Sequence, residues 1–435
     1  MIVCNKTNQK GEIVEHLINR KDNLVNDVND SMLLHLVKER GPLARIDIVR
    51  ITRLDPSTIS RITARLIESR LIRESTFEGE IKSGKIGRKI GRRPIFLEVN
   101  PDGGYILGME IGAWTTKVVI TDLNLQVLSK FKIPTEAYKD RETVLNNIFE
   151  HMDNAIRDCG INRQDIKGIG IGISGIVDDR EGVCLFAANF NNWKDVPIKA
   201  LVEEKFRIKT FITNTLTIMT LGEKYYGEGK DTELKDLICI NLGIGIGAGI
   251  VLHEELFLSS PKKHVGNIGH MIIDKNGLKC NCGNFGCLEA FAGGWAIAKQ
   301  AIQSIKEGRE TKILEIVNGE ITKIDAEIVA RAAKDGDDVA REIFTKAGRH
   351  IGFAIAILMN LYYPDKIVLE GGLIQAGDVL FNPIMDSVGE HVSDEQLNKV
   401  EIVISRLEGY AGALGAARLV SHEVFKTPLL HLIRA

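Results

Sequence analysis

The sequence lacks any hydrophobic run long enough to cross a bilayer, any low-complexity tract and any signal-peptide pattern. Its longest apolar runs, such as Ile351 to Leu361, fall well short of the roughly 20 residues that a membrane helix needs. The first residues are polar, unlike the apolar centre of a secretory leader. These absences predict a protein that works without a membrane.

Cysteine is scarce outside one short segment. Four of the seven cysteines are scattered singly along the chain, at Cys4, Cys159, Cys184 and Cys239. This spacing does not form a disulfide framework and suits a reducing compartment, so we expect a cytoplasmic protein.

Net charge is also small, −2 over 435 residues, but it is unevenly distributed. Residues 1–100 hold 19 Lys and Arg against 13 Asp and Glu, whereas the rest of the chain is acidic. A basic head on an acidic body indicates that the head alone meets a polyanion.

The remaining three cysteines lie within eight residues, in Cys280-Asn-Cys282-Gly-Asn-Phe-Gly-Cys287, and His270 lies ten residues before them. Three thiolates and an imidazole at this spacing are typical of a tetrahedral structural zinc site. The alternative is three reduced, buried thiols beside an unrelated core histidine. The pattern favours Zn²⁺ bound by His270, Cys280, Cys282 and Cys287.

The same segment resembles the signature of the ROK family, which contains repressors and sugar kinases. The family carries Gly-Glu-x-Gly-His followed by Cys-x-Cys-Gly-x-x-Gly-Cys-Leu-Glu, and only Asn267 departs from it here. The resemblance implies that His270 is both zinc ligand and sugar contact, and that Glu289 and Asn214 are sugar contacts. Each could instead be a polar group satisfied within a core.

The resemblance, which extends over residues 30–420, implies an α/β fold of the duplicated actin-like (ribonuclease-H-like) type. The sequence agrees, because hairpins around glycines begin near Tyr105 and Leu237, and strands end at Ser174 and Gly371. We expect a winged helix-turn-helix over residues 1–98 and a first α/β domain over 99–225, completed by a C-terminal helix over 410–435. A second domain with the zinc loop would cover 226–409, and a ligand would bind between the two.

The head shows three helical patterns. An apolar stripe (Met32, Leu33, Leu36, Val37) predicts a helix that starts at a Ser31 cap and ends at Gly41-Pro42. A second helix is expected from Arg45 to Arg53, and a third starts at Asp55-Pro56 with Ile59, Ile62 and Leu66 facing inward. ROK repressors carry Ser at the position of Ala44 and Gly at that of Arg53, which leaves the cap and the turn of the second helix open.

After the third helix, residues 82–93 contain six cations and no acid, and two strand-like segments flank them. Helices followed by a basic wing favour a winged helix-turn-helix over a solvated helical adaptor. The residues expected to contact base edges and phosphates are short donors and arginines: Ser57, Thr58, Ser60, Arg61, Arg65, Arg88, Arg92 and Arg93.

Three positions argue against sugar kinase activity. By the family pattern, Thr215 occupies the place of the catalytic Asp, and a hydroxyl is too weak a base for that role. Trp114 and Ile244 replace small hydroxyl residues of the phosphate loops. The remaining glycines are explained by tight turns alone.

The sequence therefore predicts a transcriptional repressor of carbohydrate metabolism that binds a double-stranded operator as a homodimer or a dimer of dimers and senses a sugar or sugar derivative. A ROK sugar kinase with an appended DNA-binding domain is one alternative. A regulator that responds to a protein partner instead of a small molecule is another.

Overall fold

The computed structural model describes residues 28–76, 95–230, 234–257 and 265–425. Within these ranges no helix is both long and apolar enough to span a membrane.

The N-terminal head has three helices and a small sheet. Its elements are α1 (28–40), β1 (Leu43–Ala44), α2 (Arg45–Thr52), α3 (Pro56–Glu68), β2 (Ile72–Ser75) and β3 (Phe96–Val99). The three strands pair antiparallel in the order β1-β3-β2. The expected order of helices and returning strands is thus present, and the basic segment with Arg88, Arg92 and Arg93 lies outside the described residues.

The expected start of α1 was wrong. Residues 28–30 are already helical, so Ser31 lies inside the helix and is not its cap. The predicted end was right, because the helix stops at residue 40 and the Gly41 amide donates to Val37 O at 2.9 Å. Leu34, which the predicted stripe omitted, is buried beside Leu33.

The turn between α2 and α3 keeps a left-handed residue without glycine. Arg53 adopts φ 59°, and its amide donates to Val49 O at 2.9 Å. Ala44 precedes α2 without a side-chain cap, as its methyl group requires. The Asp55 carboxylate then accepts the Thr58 amide at 2.9 Å and caps α3, whose Ile59, Ile62 and Leu66 are buried as expected.

The first lobe of the body is built on a five-stranded sheet ordered β11-β7-β4-β5-β6. Its strands are β4 (Tyr105–Ile111), β5 (Thr115–Asp122), β6 (Val127–Pro134), β7 (Ile166–Ile173) and β11 (Thr210–Asn214), and a small side sheet holds β8 (Ile176–Asp178), β9 (Val183–Phe186) and β10 (Lys194–Val196). The helices that follow are α4 (Arg141–Asp158), α5 (Ile198–Phe206) and α6 (Thr215–Tyr226). The hairpin β4–β5 is antiparallel, whereas β4, β7 and β11 run parallel.

The second lobe repeats this plan, with strands ordered β14-β13-β12-β15-β16. They are β12 (Leu237–Leu242), β13 (Ile246–Leu252), β14 (Glu255–Leu256), β15 (Lys366–Glu370) and β16 (Glu401–Ile404). Its helices are α7 (Leu288–Ala292), α8 (Gly294–Lys306), α9 (Ile313–Ile316), α10 (Ala326–Lys334), α11 (Asp338–Tyr362), α12 (Asp378–His391) and α13 (Asp394–Lys399). An antiparallel hairpin again leads into parallel strands, so the body is a duplicated α/β structure of the actin-like type.

The last described helix, α14 (Ala411–Val424), returns to the first lobe. Glycines allow its backbone to lie directly against the sheet and against α6. A Cβ on Gly170 would lie 2.7 Å from the Ala416 carbonyl carbon, and one on Gly222 would lie 2.6 Å from that of Ala411. The helix is therefore in backbone contact with both elements.

The far end of α14 packs against the head. Val420 and Phe425 share one apolar cluster with Leu33 and Ile48. Lys38 of α1 donates to Leu123 O of the first lobe at 2.8 Å and lies 4.8 Å from the centre of the Phe425 ring. Head and body thus share one core.

Candidate metal centre, cleft and DNA-binding face

The segment between β14 and α7 brings the four predicted metal ligands together. The ligand atoms of His270, Cys280, Cys282 and Cys287 all lie within 4.8 Å of one another. His270 Nδ1 is 3.8 Å from Cys280 Sγ, and the Sγ atoms of Cys282 and Cys287 are 3.7 Å apart. Sulfur atoms about 2.3 Å from a tetrahedral zinc are separated by about 3.7 Å, so the spacing fits this ion.

The backbone of the loop sets this geometry. The Cys280 amide donates to Asn284 O at 2.8 Å, and Gly283 and Gly286 take positive φ angles of 96° and 76° that glycine adopts without strain. Cys287 pairs with Ile272 in a short bridge and lies immediately before α7. A turn, a bridge and a helix start therefore fix three ligands in one compact loop that could hold a metal ion.

A cleft of about 430 Å³ lies between the two lobes. The candidate sugar contacts Asn214, His270 and Glu289 all line it, and so do Thr215 and Ile244. His270 belongs to both the cleft and the metal cluster. Trp114 is 68% exposed and directly follows Ala113, which lines the cleft.

Two of these polar side chains are already held by the protein. Asn214 caps α6, since its Oδ1 accepts the Thr217 amide at 2.9 Å. Glu289 accepts the Ile246 amide through Oε2 at 3.1 Å and the Trp295 indole N–H through Oε1 at 3.2 Å. These bonds hold both side chains in fixed positions at the cleft. A ligand that contacts them would therefore not have to order them on binding.

Sequence reasoning missed part of the cleft wall. Ser174 and Phe186 of the first lobe and Asn241 of the second also line it. The sequence contained a signal for Ser174. This residue stands at the carboxyl end of the expected strand β7, and ligands bind at the carboxyl ends of such strands. Phe186, 50% exposed at the end of β9, had no sequence signal.

A buried charged cluster lies where the lobes meet. Glu110 lines the cleft, and Lys117 contacts its Oε2 at 3.4 Å while donating to Gly409 O at 2.5 Å. Burial, together with the neighbouring Glu223 and Glu110 carboxylates, raises the pKa of Glu370 well above its ordinary value. Glu370 is only 2% exposed, and its Oε1 has no hydrogen-bond partner among the described residues.

The candidate DNA-contacting residues fall into two groups on α3. Ser57, Ser60 and Arg61 are exposed, and their positions follow the helical repeat on one face. Ala64, which the sequence prediction omitted, continues this face and would allow close approach to a surface. The sequence signal for this face was the spacing of three residues from Ser57 to Ser60 and of four from Ser60 to Ala64.

Several of the predicted contacts have partners within the head. The Asp55 carboxylate accepts the Ser57 hydroxyl at 2.5 Å and the Thr58 hydroxyl at 2.7 Å, and these bonds hold the pKa of Asp55 well below its usual range. Ser60 Oγ donates to Pro56 O at 2.9 Å. Arg65 forms an ion pair with Asp30 of α1, with its Nε 3.0 Å from Oδ2. Arg65 lies one turn after Arg61 at the edge of the same face, and its ion pair joins α3 to α1.

Known proteins resemble the chain over most of its length. The xylose repressor of Caldicellulosiruptor bescii is 28% identical over 407 residues, which cover 93% of this chain and 98% of the relative. The crystal structure of a ROK family transcriptional regulator, a homologue of the E. coli MLC protein, superposes with a TM-score of 0.74 at 28% identity and covers 94% of this chain and 98% of that one.

A kinase structure matches only part of the chain. The ROK family glucokinase of Streptomyces griseus, solved with glucose and AMPPNP, has a TM-score of 0.64 at 29% identity and covers 73% of this chain and 99% of its own. The sequence model of the ROK family matches residues 106–423, which span both lobes and α14. Zinc-type loop, duplicated lobes and this match lead to one conclusion: the chain belongs to the ROK family.

Proposed function

We propose that this protein is a transcriptional repressor that reads an operator with its head and senses a sugar in its cleft. The observation that carries this proposal is the combination of a helix-turn-helix head with the ROK body in one chain. The repressor and regulator relatives match both parts over 93% and 94% of the chain, whereas the glucokinase structure covers 73%.

The reading face we propose is the exposed side of α3. Arg61 has no ion-pair partner among the described residues and can reach a base edge or a phosphate. Ser57, Ser60 and Ala64 are small, so the helix can enter the major groove closely. We assign Arg65 to the link with α1, and Thr58 to the helix cap. Arg88, Arg92 and Arg93 would contact the minor groove.

A single head of this size contacts few base pairs, so affinity requires two half-sites. We propose a homodimer, or a pair of dimers, on a palindromic operator. Body pairing would then set the spacing of the two heads, and an effector that prefers one cleft geometry would change DNA affinity through that spacing.

We also propose that the chain has no kinase activity. Thr215 is the first residue of α6 and lines the cleft. The sequence resemblance assigns it the position of the family's catalytic acid. Removal of an essential base lowers the rate by several orders of magnitude. The cleft would instead bind a sugar through Asn214, His270 and Glu289, with structural Zn²⁺ at the cysteine loop fixing His270.

The α6–α14 pair gives the cleft a direct contact with the head. The first residues of α6 line the cleft, and its middle lies against α14 at Gly222 and Gly415. The end of α14 packs on α1, where Arg418 lies 3.8 Å from Glu39. A change in cleft geometry that moved α6 would therefore move the surface that supports the head.

A selection of genomic fragments by the purified protein tests the proposal. We expect enrichment of a palindrome, with binding weakened by Arg61→Ala but unchanged by Arg180→Ala, an exposed arginine of the body. Base contacts of this type contribute about 1–3 kcal/mol. A sugar that shifts operator affinity would identify the effector class.

Three other outcomes would contradict the proposal and favour a different function. Binding that is weak, steeply dependent on salt and indifferent to sequence would make the head a general polyanion binder. ATP-dependent sugar phosphorylation that is lost with Asn214→Ala would favour the sugar kinase, and DNA binding insensitive to every sugar but changed by a protein would favour the partner-responsive regulator.

A further inference from the structure

Three amides of the glycine loops that bind phosphate in a kinase-type cleft are engaged within this protein. In the second lobe, the Ile246 amide donates to Glu289 Oε2 at 3.1 Å and the Gly243 amide to Gly245 O at 3.0 Å. In the first lobe, the Gly112 amide donates to Thr115 O at 3.1 Å. These three donors are therefore not available to an incoming phosphate.

The Glu289 carboxylate lies directly on the second loop. A Cβ at Gly245 would be 2.5 Å from Glu289 Oε2, so the carboxylate occupies the space beside this glycine. An anionic group placed there would meet a fixed negative charge instead of an oriented amide.

The charges of the side chains that line the cleft also disfavour a phosphate. Glu110 and Glu289 line it, and no lysine or arginine lines it among the residues that the structure describes. Lys117 lies beside Glu110, but its ammonium group is engaged with Glu110 and with Gly409 O. A cleft that presents the Glu289 carboxylate, and whose other carboxylate is already paired with Lys117, offers no free cation among the described lining residues to an anionic ligand.

Apolar side chains take up the wall that would face a phosphate. Ala113, Ile176 and Phe186 of the first lobe and Ile244 of the second line the cleft. Phe186 is 50% exposed, and Trp114, which is 68% exposed, follows Ala113 in the chain without itself lining the cleft. Large exposed aromatic rings beside a polar pocket are typical of surfaces that pack on a ligand.

We propose that the cleft binds an uncharged glycoside. Its sugar ring would contact Asn214, His270 and Glu289, and its second ring or aglycone would lie against the apolar wall, with Trp114 stacking on it. Phosphorylated sugars and sugar acids would be rejected. This inference rests on the proposed sugar-sensing function and specifies the ligand class of the same cleft.

Matched ligand triples test this in calorimetry with the full-length protein. One triple is glucose, phenyl β-D-glucoside and β-D-glucose 1-phosphate, which carry a hydroxyl, a phenoxy group and a phosphate at the same carbon, and a second is the corresponding set of N-acetylglucosamine. Within the triple that binds, we expect the phenyl glycoside to bind about tenfold or more tightly than the free sugar, and the phosphate about tenfold or more weakly. Xylose and phenyl β-D-xyloside provide a further pair.

Variants separate stacking from general damage. Trp114→Ala should remove the advantage of the phenyl glycoside while leaving the affinity for the free sugar within about twofold, and Trp114→Phe should restore most of it. Leu361→Ala, which removes another 68% exposed apolar side chain at the end of α11, should change neither affinity.

Three results would overturn the proposal. They are tightest binding of a sugar phosphate, an unchanged preference in Trp114→Ala, and no binding of any member of either triple or of the xylose pair. The operator selection is independent of these ligands, so a palindrome enriched without glycoside binding would refute the ligand class and leave the DNA-binding function standing.

Discussion

Gly415 lies where α14 touches α6, and adding one methyl group there should disrupt the contact between cleft and head. A Cβ at this position would lie 2.6 Å from the Ile218 carbonyl carbon and 2.7 Å from the Gly222 nitrogen, and closer still to Ile218 O. Ordinary van der Waals contact begins beyond about 3.4 Å, and these neighbours are backbone atoms that cannot rotate away. Gly415→Ala must therefore push the two helices apart.

The expected loss in the free energy of unfolding is about 3 kcal/mol, at the upper end of the range for overpacked cores. Gly389→Ala is the matched control. Gly389 lies in the helix α12, and its added Cβ would meet only Leu397 Cδ2 at 3.9 Å. There the same chemical change should stabilise the protein by about 0.5–1 kcal/mol, because alanine loses less conformational freedom in a helix.

Urea denaturation followed by circular dichroism measures both variants, with the midpoint and slope compared with those of the parent. A loss below about 1 kcal/mol in Gly415→Ala, while Gly389→Ala behaves as expected, would refute the reasoning that backbone contact holds α14 on α6. Operator binding by the folded variant then shows whether the response to effector requires that contact.

Four further perturbations have defined outcomes. Burial raises the pKa of Glu370 above 4.5, so the protonated carboxyl group stabilises the fold at acid pH and this stabilisation is lost as pH rises. Glu370→Gln carries no such proton. In denaturant titrations its free energy of unfolding, relative to that of the parent, should therefore increase by about 1–3 kcal/mol from acid to alkaline pH. Burial lowers the pKa of Lys38 from 10.5 to about 8, so the free energy of unfolding of the parent should increase as pH is raised from about 8 to 10.5. Lys38→Met, measured in parallel, should lack this increase. Arg53→Gly should stabilise the head by up to about 1 kcal/mol, since φ is 59° at that turn, and thermal unfolding reports the sign. Removal of metal by a chelator, or Cys282→Ser, should weaken effector binding about tenfold or more, because the metal-binding loop fixes His270 and Glu289 at the cleft. Metal analysis measures the loss of metal, and calorimetry measures the loss of effector affinity.

Local signals predicted the elements that are defined by their own residues. Asp55-Pro56 placed the start of α3, and the apolar run Ile166–Ile173 matched β7 to the residue. The zinc-type loop was recognisable because its ligands lie within 18 residues of one another. In each case, a cap, a continuous apolar run or a ligand spacing carries the information within a short stretch of chain.

Long-range contacts could not be predicted in this way. Arg65 resembled a DNA contact, but Asp30 lies 35 residues earlier, and only the packing of α1 on α3 shows that the two pair. The raised pKa of Glu370 depends on its burial and on the carboxylates of Glu223 in α6 and Glu110 in β4, which are distant in sequence. The start of α1 was misjudged at Ser31, because the helix continues into a polar stretch without a sequence signal.

The same helix pair connects the cleft with the head, as a sensor of the proposed kind requires. A kinase uses closure of its lobes to assemble catalytic groups, whereas a sensor needs only that ligand binding favours one closure state. Here α6 begins in the cleft, directly after its cap Asn214. The backbone of α14 lies against α6 at Gly222 and Gly415, and Phe425, just after α14, packs in the core of the head. Close-packed backbone contacts shift as units and do not deform gradually. This connection does not depend on which residue stands at position 215, so a ligand-dependent change in the cleft that moves α6 also moves the surface that supports the head.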